Sequence, residues 1–288
     1  MNNISIVNSC SLPDPEFDRA WNAIKIPEEV RTKLVAQALL SLTIRQQVPF
    51  EIAPLHGLIL LSGPPGTGKT TLARGLASRV AAAFPESKLR FLRIDPHALA
   101  SSALGQSQQK VTELFEQTIP EAAREGPVIV LLDEVETLAS ARDRLSVDAN
   151  PADVHRAVDA VLAGLDSLTQ TRVDALLVAT TNFPEAIDEA FCSRADLVQT
   201  IPLPGIEARA EILRDSIEQL SQTWPDLLRL QAALDPLVTA SEGLDGRRIR
   251  KSFFAAAARS IDSARDLNLL SEKQLIAELA SGRQGVAP

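Results

Sequence analysis

Three short stretches of this chain collect residue types that handle phosphate. Gly63-Pro-Pro-Gly-Thr-Gly-Lys-Thr70 fits the spacing GxxxxGK[ST], with the apolar run Leu58–Leu61 before it and helical spacing from Thr71 onward. Strand, glycine-rich turn, then helix is the context a phosphate-binding loop requires. Gly63, Gly66 and Gly68 let the backbone curl so that N–H groups face phosphate oxygens, and the helix N-terminus adds its positive dipole end. The expected cradle is Gly63, Pro64, Pro65, Gly66, Thr67, Gly68, Lys69, Thr70 and Thr71, where Lys69 supplies charge to the β- and γ-phosphates of ATP and Thr70 a hydroxyl to Mg²⁺. The bland alternative is a strand-to-helix turn with no ligand. The second stretch is Val128-Ile-Val-Leu-Leu-Asp133-Glu134. A run apolar at every position is a strand covered on both faces, and the ends of such strands in doubly wound sheets face the ligand crevice. There Asp133 can hold Mg²⁺ directly or through water, and Glu134 can orient and polarise an attacking water; the alternative is a helix-capping Asp beside an exposed Glu. The third, Ala175-Leu-Leu-Val-Ala-Thr-Thr-Asn182, ends on an amide that can hold water or the γ-phosphate, or else make an Asx turn before Pro184.

The elements that must position these groups are legible as periodicity. Pro27, Glu28 and Glu29 open a helix with the stripe Val30, Leu34, Val35 and Leu42, ended by Pro49. Ile24 and Ile26 before it either wall a base or pack in the core. Lys88–Asp95 alternates like a strand, Pro96–Gln106 reads as a mobile loop, and Ser107–Ile119 has helical spacing through Val111, Leu114 and Phe115. Leu197–Pro202 is a short last strand. The expectation is an α/β fold with a five-stranded parallel sheet flanked by helices. From Pro204-Gly205 onward the pattern is helical only: Ile206, Ala210, Leu213, Ile217 and Leu220 share a face, Trp224–Leu234 adds a short helix, and residues 246–264 and 273–279 complete a helical lid. Arg247, Arg248, Arg250 and Lys251 fall within an arc of roughly 160°, opposite Ile249, Phe253 and Ala256. That arc is a solvated or acid-paired face, or a cationic patch. Residues 1–20 read as a loose arm, 21–204 as the large domain and 205–288 as the small one.

Composition narrows the partners. A chain of 288 residues has room for one large α/β unit with a smaller satellite. Its net charge of −8 disfavours broad attraction to a phosphate backbone, and with aromatics at 4% and no tyrosine there is little from which to build a base-stacking platform. No nucleic-acid partner is expected. No apolar run approaches the ~20 residues a membrane span needs and no basic-then-apolar leader is visible, so a soluble, cytoplasmic protein is expected, without a membrane partner. Cys10 and Cys192 are too few for a disulfide framework and read as free thiols.

Taken in order, Gly63–Thr70, Asp133-Glu134, Thr180-Thr-Asn182, Arg194 and Gly243-Leu-Asp-Gly-Arg247, before an all-helical lid, resemble an AAA+ P-loop NTPase. Leu132-Asp-Glu-Val-Glu-Thr-Leu-Ala-Ser-Ala-Arg142, Phe191-Cys-Ser-Arg-Ala-Asp196 and Gly243–Arg247 are similar to the pachytene-checkpoint and thyroid-receptor-interacting ATPases, which remodel HORMA-domain proteins. The likeness runs from Trp21 to Ala258. It implies that Arg194 is a finger reaching the γ-phosphate of a neighbouring subunit, that Arg247 is a second sensor within its own subunit, and that the assembly is a homo-hexameric ring. It also places a pore loop at Ser101–Gly105, where relatives carry an aromatic and this chain has Ser102-Ala103-Leu104. With only a short arm before the ATPase region, the chain is like compact bacterial relatives associated with cyclic-oligonucleotide antiphage defence, where the ring disassembles a HORMA protein bound to its nucleotidyltransferase. The competing expectation is a nucleotide-dependent, DNA-associated AAA+ loader or regulator, against which the negative charge weighs. A catalytically idle scaffold would have no use for Glu134.

Overall fold

A computed structural model describes residues 6–99, 106–139 and 151–282. They divide into two compact units, one holding residues 1–63 and 69–200 and the other 64–68 and 201–288.

The first unit is built on a six-stranded sheet in the order β1-β3-β4-β5-β2-β6. Its strands are β1 (Ile6–Ser11), β2 (Leu58–Ser62), β3 (Arg90–Ile94), β4 (Val128–Leu132), β5 (Ala175–Thr181) and β6 (Leu197–Thr200). The strands from β3 to β6 in this order run parallel, with Val130 opposite Leu177 and Leu60 opposite Ala179, whereas β1 lies antiparallel on β3. The five parallel strands are the expected ones, β2, β4 and β5 from their apolar runs, β3 from its alternation and β6 as the short last strand. The sixth corrects the reading of the first residues as a loose arm. Asn8, Ser9 and Ser11 are exposed, so β1 is held by main-chain pairing to the open edge of β3 and leaves no hydrophobic alternation in the sequence. Beyond it, Phe17 meets Phe91 edge-to-face at 4.9 Å between ring centroids.

Helices cover both faces: α1 (Pro15–Ala23), α2 (Glu28–Gln47), α3 (Lys69–Ala82), α4 (Gln106–Glu113) and α5 (Pro151–Gln170), with the short α6 (Glu189–Ser193) before β6. A Cβ on Gly75 of α3 would lie 2.6 Å from the Trp21 backbone, so only glycine permits this approach of α1. After α4 the chain passes through a π-turn, Leu114–Thr118, before a last turn, Ile119–Ala122. Pro120 in that turn has no N–H to give a regular helix. Leu99 is fully buried in the core with Val111, Leu114 and Phe115, which takes one of the bulky residues of the expected loop into packing; Ser101–Gly105, with Leu104, lies outside the described residues.

The second unit packs α7 (Ile206–Ser221), α8 (Leu234–Ala240), α9 (Gly246–Ala257), α10 (Ile261–Arg265) and α11 (Glu272–Gly282) around Leu213, Ile217, Leu237, Ile249, Phe253 and Leu275. Two details differ from expectation. Pro225–Ala233 winds as a 3-10 helix, and the helix expected over 246–264 stops at Ala257, because the Ser260 hydroxyl caps a new helix at Asp262. No helix among the described residues is long and apolar enough to cross a membrane.

Candidate nucleotide site

The strand order explains why the three stretches meet. β5 lies between β4 and β2, so the residue after β5 stands between the loop that follows β2 and the acids that follow β4. Parallel strands put all three ends on one edge of the sheet.

At the loop, Gly63, Gly66 and Gly68 have φ of 137°, 82° and 94°, a region that costs L side chains strain. Gly66 is further restricted within its own unit, where a Cβ would fall 2.2 Å from a carboxylate oxygen of Asp245. The Thr67 hydroxyl donates to the Pro64 carbonyl at 3.0 Å, pinning the turn. Pro64 and Pro65 are exposed, and Thr70 and Thr71 are half-buried in the first turn of α3. Lys69 is 5% exposed. Its Nζ donates to the Gly63 carbonyl at 2.7 Å and to Asn182 Oδ1 at 2.8 Å, so the ammonium is held between the loop and the residue after β5.

At the end of β4, Asp133 is held by three donors. The Thr70 and Thr180 hydroxyls each donate to Oδ1 at 2.7 Å, and Arg93 on β3 donates to Oδ2 at 2.8 Å. One hydroxyl and one carboxylate side by side suit Mg²⁺, a hard cation that keeps water and phosphate oxygens as its other ligands rather than an all-protein cage. No group of three His, Cys, Asp or Glu that could hold a metal occurs among the described residues. Glu134 is exposed and has φ of 58°, a strained backbone for a residue with a side chain. Thr180 steadies it: the same hydroxyl accepts the Glu134 N–H at 3.1 Å, and the Thr180 carbonyl accepts that of Val135 at 2.9 Å. Asn182 Nδ2 stands 3.5 Å from Glu134 Oε1, and the Asn182 N–H donates to Glu136 Oε1 at 3.3 Å. The turn before Pro184 is made by the Thr181 hydroxyl, which accepts the Phe183 N–H at 3.1 Å. That leaves the Asn182 amide to face Lys69.

The structure thus brings Lys69, Thr70, Asp133, Glu134 and Asn182 together, adds Arg93, which the sequence reading did not single out, and gives Thr180, quoted there only within Thr180-Thr-Asn182, a part of its own. Arg194 is directed elsewhere. It follows α6, where Nε and Nη2 donate to the two carboxylate oxygens of Asp166 at 2.8 Å each, and Nη1 donates to the Ala190 carbonyl at 2.9 Å. This pair holds the Asp166 carboxyl below its ordinary range and the Arg194 guanidinium above its own. Asp196, two residues on, accepts the N–H groups of His56, Gly57 and Leu58 and the Ser41 hydroxyl, fixing the entry to β2. In the second unit Arg247 is exposed on α9. Of its cationic neighbours, Arg248 pairs with Asp245 at 3.3 Å, and burial pushes the half-buried Arg250 guanidinium down from its usual range. That face is partly acid-paired.

Residues 59–203 match the family described as ATPase family associated with various cellular activities (AAA). CD-NTase-associated protein 6 of Pseudomonas aeruginosa is 48% identical over 281 residues, covering 97% of this chain and 92% of that protein. The pachytene checkpoint protein 2 homolog of Homo sapiens is 31% identical, over 89% of this chain and 65% of that one. The solved structure of C. elegans PCH-2 matches with a TM-score of 0.76 at 28% identity, over 97% of this chain and 76% of that chain. A chain in the structure of the E. coli MS115-1 HORMA:CdnC:Trip13 complex matches with a TM-score of 0.76 at 19% identity, over 99% of this chain and 97% of that one, which is likeness of fold alone. A strand-ended phosphate loop, an acid pair and an interposed Asn182 on this sheet order agree with those matches: the chain belongs to the AAA family of ATPases, among the relatives of CD-NTase-associated protein 6 and pachytene checkpoint protein 2.

Proposed function

We propose that this chain hydrolyses ATP with Mg²⁺ and uses the cycle to disassemble a HORMA-domain protein complex in a bacterial antiphage system, working as a homo-hexamer. The observation that carries hydrolysis is the placement of Asn182 between Lys69 and Glu134, which sets a phosphate-binding cation and a water-polarising carboxylate on either side of one amide. In this reading Lys69 and the loop N–H groups bind the phosphates, and Thr70 and Asp133 hold Mg²⁺, which neutralises charge on the phosphate oxygens. Glu134 orients and polarises water, and Asn182 keeps its position relative to the γ-phosphate. Arg194 acts on the site of a neighbouring subunit and Arg247 on nucleotide in its own.

The substrate class rests on the relatives. One is named for association with a CD-NTase and is 48% identical over nearly the whole chain; a fold neighbour was solved in complex with a HORMA protein and CdnC. The test is to follow ATP turnover and the release of a HORMA protein from its nucleotidyltransferase in one reaction, with Glu134→Gln as control. HORMA-stimulated turnover with ATP-dependent release is the expected result. Turnover that responds to duplex DNA and not to the HORMA complex would overturn this reading in favour of a DNA-associated loader.

A further inference from the structure

Arg194 is fixed in a manner that leaves part of it available. A guanidinium has five N–H donors. Nε and one Nη2 hydrogen go to Asp166 and one Nη1 hydrogen to Ala190, which leaves two, one on each terminal nitrogen, uncommitted among the described residues. The side chain is 24% exposed, and its orientation is already set by these three bonds. A bidentate carboxylate fixes both the plane and the rotation of a guanidinium. The carboxylate is itself placed firmly, on α5, with His56 Nε2 3.6 Å from the oxygen that accepts Arg194 Nε.

We propose that Asp166 is a positioning residue for Arg194, presenting its two free N–H groups to an anionic group on a second copy of this chain. The inference rests on the reading of Arg194 as a finger acting on a neighbour's nucleotide. Asp166 then serves the neighbour's site through Arg194 and not the site of its own subunit. An unpaired arginine on a long flexible stem samples many rotamers, and misplacement of a transition-state contact by about 1 Å costs about 100-fold in rate.

Asp166→Asn keeps the size of the side chain but offers one acceptor oxygen and no charge. Its kcat is expected to fall about 100-fold with the KM for ATP unchanged, and Asp166→Glu to recover part of the loss. Mixed assemblies locate the effect. Arg194→Ala mixed with Glu134→Gln should regain turnover, because some interfaces then join an intact Arg194 to an intact Glu134; if that pair stays dead, the reading of Arg194 as a finger fails whatever Asp166 does. With that pair active, Asp166→Asn mixed with Glu134→Gln should also regain turnover, while Asp166→Asn mixed with Arg194→Ala should not, since both defects lie on the same side of every interface. Recovery in this last mixture would show Asp166 serving its own site and would overturn the proposal. So would turnover by Asp166→Asn at or above the parent level, which would make the ion pair a restraint on Arg194, or a parallel loss of nucleotide affinity that Asp166→Glu fails to recover.

Discussion

Lys69 Nζ donates to Asn182 Oδ1 at 2.8 Å, joining the phosphate loop to the far end of β5. The bond crosses from the loop after β2 to its neighbour in the sheet, and it sets the ammonium at a fixed height above the strand ends. Two substitutions should therefore separate. Lys69→Ala deletes a charge-assisted contact to phosphate worth about 1.5–3 kcal/mol, so calorimetry should show ATP binding weakened by about 10- to 100-fold. Asn182→Ala keeps the charge itself, with the Gly63 carbonyl still accepting from it, and should cost much less affinity while lowering kcat. An unchanged dissociation constant in Lys69→Ala would mean that the loop does not bind phosphate.

Glu134→Gln should keep ATP and Mg²⁺ binding and lose at least about 100-fold in turnover. The amide can occupy the same strained φ of 58° and the same position near Asn182, yet it cannot polarise water as the carboxylate does. Steady-state hydrolysis measured alongside nucleotide binding checks this, and near-parent hydrolysis would remove Glu134 from its role.

Thr180 is the residue on which both acids depend. Its hydroxyl donates to Asp133 Oδ1 and accepts the Glu134 N–H, and the side chain is 2% exposed. Thr180→Val keeps the shape but takes the acceptor from the part-buried Glu134 N–H and one donor from Asp133, at a cost of about 1 kcal/mol. A lowered melting temperature together with a kcat loss larger than that of a remote core variant of equal stability is the expected outcome. If Thr180→Ser restores both, the hydroxyl is responsible and not the packing of the methyl.

How much of this was readable in the sequence depends on how each group is held. β2, β4 and β5 announce themselves because strands buried on both faces must be apolar throughout, and the polar residues that end them, Ser62, Asp133 and Asn182, mark the edge where the candidate site lies. β1 could not be read, since an edge strand held by main-chain bonds needs no apolar pattern. Thr180 and Arg93 were hidden for another reason: each acts on Asp133 across the sheet order β3-β4-β5, which is settled only by tertiary packing. Asp166 likewise meets Arg194 across 28 positions because α5 and α6 lie together. Thr67, in the glycine-rich loop, is pinned by that loop itself through the Pro64 carbonyl, so part of the loop's shape is local and carried by its residue types.

His56 gives a prediction in pH. Burial first, with the nearby Arg194 and Arg45 charges adding to it, lowers its pKa below the ordinary value against the opposite pull of Asp196 and Asp166; its ring meets Phe50 edge-on at 5.0 Å between centroids. Above about pH 6.5 the imidazole is neutral in both folded and unfolded chains and contributes no slope. As pH falls through that value the unfolded chain takes up a proton that the folded one refuses. Folding stability therefore declines from there down to the lowered folded pKa, and the loss is constant below it. His56→Phe keeps an aromatic ring against Phe50 and removes the titration, while the backbone N–H still donates to Asp196. Denaturant unfolding at steps from pH 8 to pH 5 should show the gap between parent and variant shifting in the variant's favour below about pH 6.5. A gap that stays constant with pH would mean that His56 protonates as readily in the folded chain as in the unfolded one.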